Sequence, residues 1–132
     1  MSELAHLQMR RVGNTQLFAI SGEVDLSNAR SLFDTVAAST PDDTSLVVLD
    51  LSATTYLDSA GIAGLFRLAE RLRIRRQDLR LVVPPGSAIR PVLRLTHLDH
   101  VIQVDDVLAD TLSAFPPDLP PDVEAPRASG PT

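Results

Sequence analysis

Apolar residues along this chain form two kinds of pattern, which predict strands and helices in alternation. Residues 4–12 and 16–22 have the composition of two strands, and Gly13-Asn14-Thr15 between them predicts a hairpin turn. The run Leu46-Val47-Val48-Leu49 is apolar throughout and bounded by turn residues, which is typical of a strand buried on both faces. Two more strands are predicted, at residues 79–83 and at residues 101–104.

Stripes of apolar residues at helical spacing predict helices between and after these strands. Each predicted helix begins with a polar residue that can accept hydrogen bonds from free amides: Ser27 or Asn28, Asp58, Ser87, and Asp105 or Asp106. The predicted stripes are Ala29, Leu32, Phe33 and Val36; Ile62, Leu65, Phe66, Ala69 and Leu72; Ile89, Val92, Leu93 and Leu95; and Val107, Leu108 and Leu112. The second helix is predicted from about Ser59 to Arg75.

The order of these elements predicts an α/β domain. After the opening hairpin, strands alternate with helices, and right-handed crossovers then give a mostly parallel sheet of about four or five strands with about four helices. We assign residues 1–115 to this single domain. Residues 116–132 form a proline-rich tail that contains six of the ten prolines, and its low apolar content predicts disorder.

The start of the second predicted helix is a candidate functional site. Asp58 and Ser59 follow an apolar strand and a short polar loop, and a serine there lies at the positive end of the helix dipole, near free amides. Such a position suits a phosphate group. The simpler interpretation is that Asp58 is an N-terminal cap and Ser59 an ordinary first-turn residue.

Two further features bear on this site. Asp25 also follows a strand, so it lies near Asp58 if the two strands are neighbours; it is equally suited to shaping its own loop. Gly61 and Gly64 are predicted to serve packing rather than phosphate binding, because no Lys-Ser or Lys-Thr pair follows them as in a P-loop.

Composition argues for a binding module rather than an enzyme. The 132 residues carry a net charge of −5, which disfavours nucleic acid as a partner, and the basic residues between Arg67 and Arg80 fit a solvated helix face. The chain has no cysteine, and His6, His97 and His100 belong to no recognisable catalytic or metal-binding motif, so no catalytic residue, metal or cofactor is predicted.

No apolar run is long enough to cross a membrane, and no secretion signal is evident, which predicts a cytoplasmic location.

Several segments carry a family resemblance. They are Gly22-Glu23-Val24-Asp25, Leu49-Asp50-Leu51-Ser52, Tyr56-Leu57-Asp58-Ser59-Ala60-Gly61-Ile62-Ala63-Gly64-Leu65, Leu79-Arg80-Leu81-Val82-Val83-Pro84 and Ile89-Arg90-Pro91-Val92-Leu93-Arg94-Leu95-Thr96. Together they resemble the STAS domain of anti-sigma factor antagonists over about residues 5–114. The Asp-Ser-x-Gly segment between a strand and a helix is the most specific part of the resemblance.

The resemblance implies a phosphorylation switch. In that family, an anti-sigma factor that is also a kinase phosphorylates the serine after the aspartate, which corresponds to Ser59 here. The unphosphorylated antagonist binds the anti-sigma factor and frees the sigma factor, and a serine phosphatase resets the switch. Asp25, Asp58, Ala60 and Gly61 are then expected on the surface that meets the kinase. The alternative is a STAS interaction subunit of a transporter or a signalling complex.

Two residues depart from the family pattern. Ala60 stands where many phosphorylated members have Ser or Thr, so a supporting hydroxyl is absent while the acceptor Ser59 remains. His97 stands where a glycine commonly ends the third helix, and a histidine enters the left-handed cap conformation less readily.

Overall fold

A computed structural model describes residues 5–114, which form one mixed six-stranded sheet with four helices. The strands are β1 (Ala5–Val12), β2 (Thr15–Val24), β3 (Leu46–Asp50), β4 (Thr54–Leu57), β5 (Asp78–Val82) and β6 (Gln103–Asp105). The helices are α1 (Ala29–Ala38), α2 (Ser59–Ile74), α3 (Arg90–Leu95) and α4 (Leu108–Ala114). The α/β fold class and the mostly parallel sheet are confirmed.

The sheet is built around β2, which pairs antiparallel with β1 and parallel with both β3 and β4. The strand order is β1-β2-β3-β5-β6, and β4 lies on the same edge of β2 as β3 but further along it. In the opening hairpin, Val12 already pairs with Thr15. The turn therefore consists of Gly13 and Asn14 alone, one residue shorter than predicted, and Gly13 has φ 62°.

Strand β4 is the main correction to the sequence prediction, which placed a polar loop there and expected fewer strands. Thr54 is buried, and its hydroxyl donates to the carbonyl oxygen of Ile20 at 2.7 Å, so this polar side chain is satisfied inside the sheet. Thr55 and Tyr56 lie exposed. The prediction missed the strand because a buried but hydrogen-bonded threonine has the same sequence pattern as a solvated loop.

The two faces of the sheet bury separate apolar clusters. The larger cluster lies between the sheet and α1, α2 and α3, and includes Phe18, Phe33, Leu65 and Leu93. The smaller one packs Leu17, Leu46, Val48 and Val82 near α4. The stripes of the first two helices are confirmed in these clusters, with Leu68 as a buried member that the prediction omitted.

The later helices differ from the prediction in detail. The third helix begins at Arg90 with Ile89 at its N-cap, not at Ser87, whose hydroxyl instead accepts from the amide of Ile89. Leu95 is 80% exposed and Val107 is 48% exposed, so neither faces the core. The predicted edge strand is displaced by two residues at its start, to Gln103.

The remaining sequence predictions concern the C-terminal tail and membrane-spanning segments. The tail predicted at residues 116–132 lies outside the described residues. Within residues 5–114, no helix has both the length and the apolar character needed to cross a membrane.

Candidate functional site

The parallel pairing of β2 and β4 brings the two candidate aspartates to one end of the sheet. Val24 and Leu57, the last residues of these strands, are partners in the register. The amide of Asp58 also donates to the carbonyl oxygen of Val24 at 3.3 Å. The loop that carries Asp25 therefore lies against the start of α2.

The carboxylate of Asp58 joins this loop to the helix. Its Oδ1 accepts from the amide of Gly61 at 3.0 Å, which makes Asp58 the N-cap of α2 as predicted. Its Oδ2 accepts from the amide of Leu26 at 3.2 Å. One side chain thus satisfies a helix amide and fixes the backbone of the β2–α1 loop.

Asp25 shapes the same loop through its own contacts. Its Oδ1 accepts from both the amide and the hydroxyl of Ser27, at 2.9 and 2.5 Å. Its amide donates to Oδ1 of Asn28 at 3.0 Å. Asn28 stands at the N-cap position of α1, as predicted, but its side chain makes no capping bond because it is engaged with Asp25 and with the carbonyl oxygen of Glu23.

Ser59 is the first residue of α2 and is exposed. Within residues 5–114 its side chain makes no hydrogen bond, and the amides of Ser59 and Ala60 have no protein acceptor. These amides lie at the positive end of a 16-residue helix. The hydroxyl is therefore open to a second molecule, in a setting that favours negative charge.

Both glycines near the start of α2 are packing residues, as expected. A methyl group on Gly61 would overlap the side chain of Leu57, and one on Gly64 would lie 2.5 Å from Cδ2 of Phe33. Gly61 is buried, so it lies beneath the surface formed by Asp58, Ser59 and the half-buried Ala60. Gly61 thus supports this surface through its amide and its small size.

Sequence reasoning missed two neighbours of this surface. Leu26 is 82% exposed although it is apolar, and Arg30, in the first turn of α1, lines a groove together with Ala60 of α2. The sequence could have indicated an exposed Leu26, because this apolar residue stands between two polar loop residues. Among the described residues, no group of three or more His, Asp or Glu side chains is arranged to hold a metal ion.

Comparison with known proteins identifies relatives. The profile of the STAS domain family matches residues 6–111. The anti-sigma-F factor antagonist RsfB of Mycobacterium tuberculosis is 31% identical over 98 residues, covering 74% of this chain and 78% of RsfB.

Solved structures show the same fold. An anti-sigma factor antagonist from Mycobacterium paratuberculosis superimposes with a TM-score of 0.73 at 27% identity, covering 83% of this chain and 92% of its own. The Bacillus cell fate determinant SpoIIAA, solved in the phosphorylated form, has a TM-score of 0.62 at 14% identity, covering 83% and 98%. The matches in sequence and in fold confirm the predicted resemblance, and this chain belongs to the STAS domain family.

Proposed function

We propose that this protein is an anti-sigma factor antagonist that binds a kinase-type anti-sigma factor, releases the sigma factor, and is switched off by phosphorylation of Ser59. The observation that carries the proposal is the exposed Ser59 hydroxyl at the first position of α2, directly after the Asp58 cap. The names of the mycobacterial relatives support the antagonist role. The protein would act in the cytoplasm, with a serine phosphatase resetting the switch.

The electrostatics of the site suit such a switch. A phosphate on Ser59 would add about −1.5 to −2 charges next to the Asp58 carboxylate and on the side where the Asp25 loop lies. A partner that covers this surface would then have to desolvate a doubly charged group beside other negative charges. A change of ~3 kcal/mol in binding free energy lowers affinity more than a hundredfold.

The fold itself need not change. Ser59 makes no side-chain hydrogen bond within the described chain, so its modification breaks no internal contact. The free amides of Ser59 and Ala60 and the helix dipole stabilise an added anion in the isolated protein. The switch therefore acts on the complex and leaves the domain folded.

The direct test is phosphorylation in vitro. The full chain is incubated with ATP and, one at a time, with the kinase-type anti-sigma factors encoded in the same genome, and the phosphate is located by mass spectrometry. We expect one phosphate on Ser59, and its loss in Ser59→Ala. Ser52→Ala is the matched control, because Ser52 is also an exposed serine after a strand but its hydroxyl donates to Asp50 at 2.6 Å.

A phosphate found on Thr54, Thr55 or Ser129 instead would contradict the assignment. Absence of both phosphate and binding with every such kinase would reject the antagonist role. In that case the interaction subunit of a transporter or signalling complex would become the better description.

A further inference from the structure

A groove of about 870 Å³ runs between α1 and α2 and opens beside the candidate phosphorylation site. The exposed Leu26 lines it together with Ala60 and Ala63 of α2. Arg30 from α1 and Arg67 from α2 line the same groove. Of the residues that line the groove, only Ala60 belongs to the predicted partner surface, and neither the sequence prediction nor the proposed switch at Ser59 gives Leu26, Arg30 or Arg67 a binding role.

The groove carries a net positive charge, although the chain as a whole is negatively charged. Asp34 also lines it, but its carboxylate is engaged by Arg71 at 2.8 Å. Within residues 5–114, Arg30 and Arg67 have no carboxylate partner. The whole chain carries a net charge of −5, so two unpaired guanidinium groups on one groove do not reflect overall composition.

We propose that this groove docks an amphipathic helix of the protein that covers Ser59, with acidic side chains of that helix paired to Arg30 and Arg67. This inference rests on the proposed function, because the partner is the anti-sigma factor itself. Leu26, which lines the groove and is exposed, then enters an apolar pocket of the partner. Arginine is favoured at such contacts because its planar guanidinium binds carboxylates through two parallel hydrogen bonds.

The geometry favours a helix as the occupant. The groove walls are two helices, α1 and α2, whose backbone groups beyond the first turn are paired within each helix. Among the residues that the structure describes, no open strand edge borders the groove, so an extended segment would find no ladder of hydrogen bonds there. A helix satisfies its own backbone and needs only side-chain contacts.

The charges around the groove also define the charge pattern expected of the occupant. The acidic side chains of the occupant would meet the arginines, while its other end would face Asp25 and Asp58 near Ser59. The contacts to Arg30 and Arg67 do not involve the phosphorylated residue. They therefore determine the affinity and the rate of association, whereas the phosphorylation state of Ser59 determines whether the complex forms.

The test is the affinity of full-length variants for the anti-sigma factor that binds the wild-type chain, measured by titration calorimetry. Arg30→Glu combined with Arg67→Glu is expected to lower affinity by about a hundredfold, since each reversal replaces an attraction with a repulsion. The salt dependence of binding should become weaker in the same variant. Arg30→Lys combined with Arg67→Lys should retain most of the affinity.

Arg94→Glu is the matched control. Arg94 is an exposed helical arginine on α3, away from the groove, and it has no carboxylate partner within the described chain. Its affinity for the partner should equal that of the wild type. Thermal unfolding of all variants shows whether a loss of binding comes from loss of fold.

The failures of the two proposals are distinguishable. Normal binding by the Arg30→Glu, Arg67→Glu variant, together with loss of binding by Ser59→Asp, would overturn the groove assignment and leave the switch intact. The opposite pattern would support the groove and reject the switch.

Two other occupants would also overturn the inference. One is the chain's own C-terminal segment, which carries Asp118, Asp122 and Glu124. If Asp118→Asn, Asp122→Asn and Glu124→Gln shift the NMR signals of Arg30 and Arg67 in the free full-length protein, the groove belongs to that segment. The other is a second copy, revealed by a concentration-dependent dimer that Arg30→Glu abolishes.

Discussion

The carboxylate of Asp58 and the amide of Leu26, 32 positions apart in sequence, are joined by a 3.2 Å hydrogen bond. The same carboxylate caps α2 through the amide of Gly61. The residue before the proposed phosphorylation site therefore holds the loop that carries the most exposed apolar side chain on this surface. Ser59 therefore directly follows, in sequence, the group that makes both contacts.

Removing this carboxylate should loosen the loop and weaken the fold. Asp58→Ala leaves the amides of Gly61 and Leu26 without their acceptor, and we expect a loss of about 1–2 kcal/mol in the free energy of unfolding, measured by urea denaturation. Amide hydrogen exchange at Leu26 should become faster.

The matched control for this prediction is Asp58→Asn. Asparagine is as good an N-cap as aspartate, but it has only one carbonyl oxygen for the two donors. We expect a smaller loss of stability, with α2 still capped and Leu26 still less protected. Unchanged exchange at Leu26 in Asp58→Ala would show that the hydrogen bond does not hold the loop.

A negative charge at Ser59 should separate binding from stability. Ser59→Asp should lower affinity for the anti-sigma factor, by up to a hundredfold, while leaving the thermal unfolding midpoint almost unchanged, because the side chain is exposed and makes no internal hydrogen bond. Ser52→Asp provides the comparison at an exposed serine outside the site. Equal affinity of Ser59→Asp and wild type would contradict the switch.

The close contact of Gly64 with Phe33 predicts an unusual response to alanine. An alanine normally stabilises a helix interior by up to about 1 kcal/mol over glycine. A methyl group on Gly64 would instead overlap the ring of Phe33, so Gly64→Ala should destabilise the protein by about 1–3 kcal/mol in urea denaturation.

Gly86→Ala is the control for this effect, because a methyl group there meets no atom within 4 Å. It should be neutral or slightly stabilising. Phe33→Leu added to Gly64→Ala should recover part of the loss, since the smaller side chain gives the methyl group room. If Gly64→Ala stabilises the fold, the two helices are free to move apart.

A carboxylate at the β6 edge predicts a pH-dependent contribution to stability. Burial raises the pKa of Asp105, but hydrogen bonds from Thr111 and Gln103 and the charge of Arg80 outweigh it, and the pKa is lowered from 3.8. A lowered pKa means that the ionised carboxylate stabilises the fold above its usual pKa and that this contribution is lost as pH falls through the folded value.

Asp105→Asn should therefore destabilise the protein at pH 7, by about 1–2 kcal/mol, since the side chain is 12% exposed and its Oδ2 accepts from the hydroxyl of Thr111 at 2.6 Å. The difference from wild type should shrink below about pH 4. Parallel urea denaturation at several pH values measures it. A difference that stays constant to low pH would exclude a role for the ionised form.

The backbone of His97 predicts a gain from glycine. His97 has φ 59° and ψ 21°, the left-handed conformation that favours glycine. This strain costs about 1–2 kcal/mol in a residue with a side chain. Glycine loses more entropy on folding, by about 0.5–1 kcal/mol, so the net gain expected for His97→Gly is about 0.5 kcal/mol.

His100→Gly is the comparison for this site. His100 lies in the short 3-10 turn Leu98–His100, where glycine relieves no strain, and the substitution should destabilise. The midpoints of thermal unfolding rank the two variants against wild type. A loss of stability in His97→Gly would mean that its ring contact with His100 outweighs the strain.

Local sequence patterns determined the parts of the molecule that depend on neighbours along the chain. The stripe of α2 followed from apolar residues at helical spacing, and the Asp58 cap followed from a carboxylate just before that stripe. The packing role of Gly61 and Gly64 was also predictable, because mid-helix glycine is costly unless something close requires it. The stripe and the cap are set by helix geometry alone, whereas the side chains that crowd the two glycines come from β2, β4 and α1.

Only the tertiary structure decided which segments meet. The pairing of β4 with β2 brought Asp58 to Leu26, and no spacing in the sequence specifies that register, because pairing between distant strands depends on which faces become buried together. The approach of α1 to α2 likewise placed Arg30 and Arg67 on one groove while Arg71 took the nearby carboxylate of Asp34. Which arginine is paired and which is left unpaired depends on how α1 packs against α2, because Arg71 lies on one helix and Asp34 on the other.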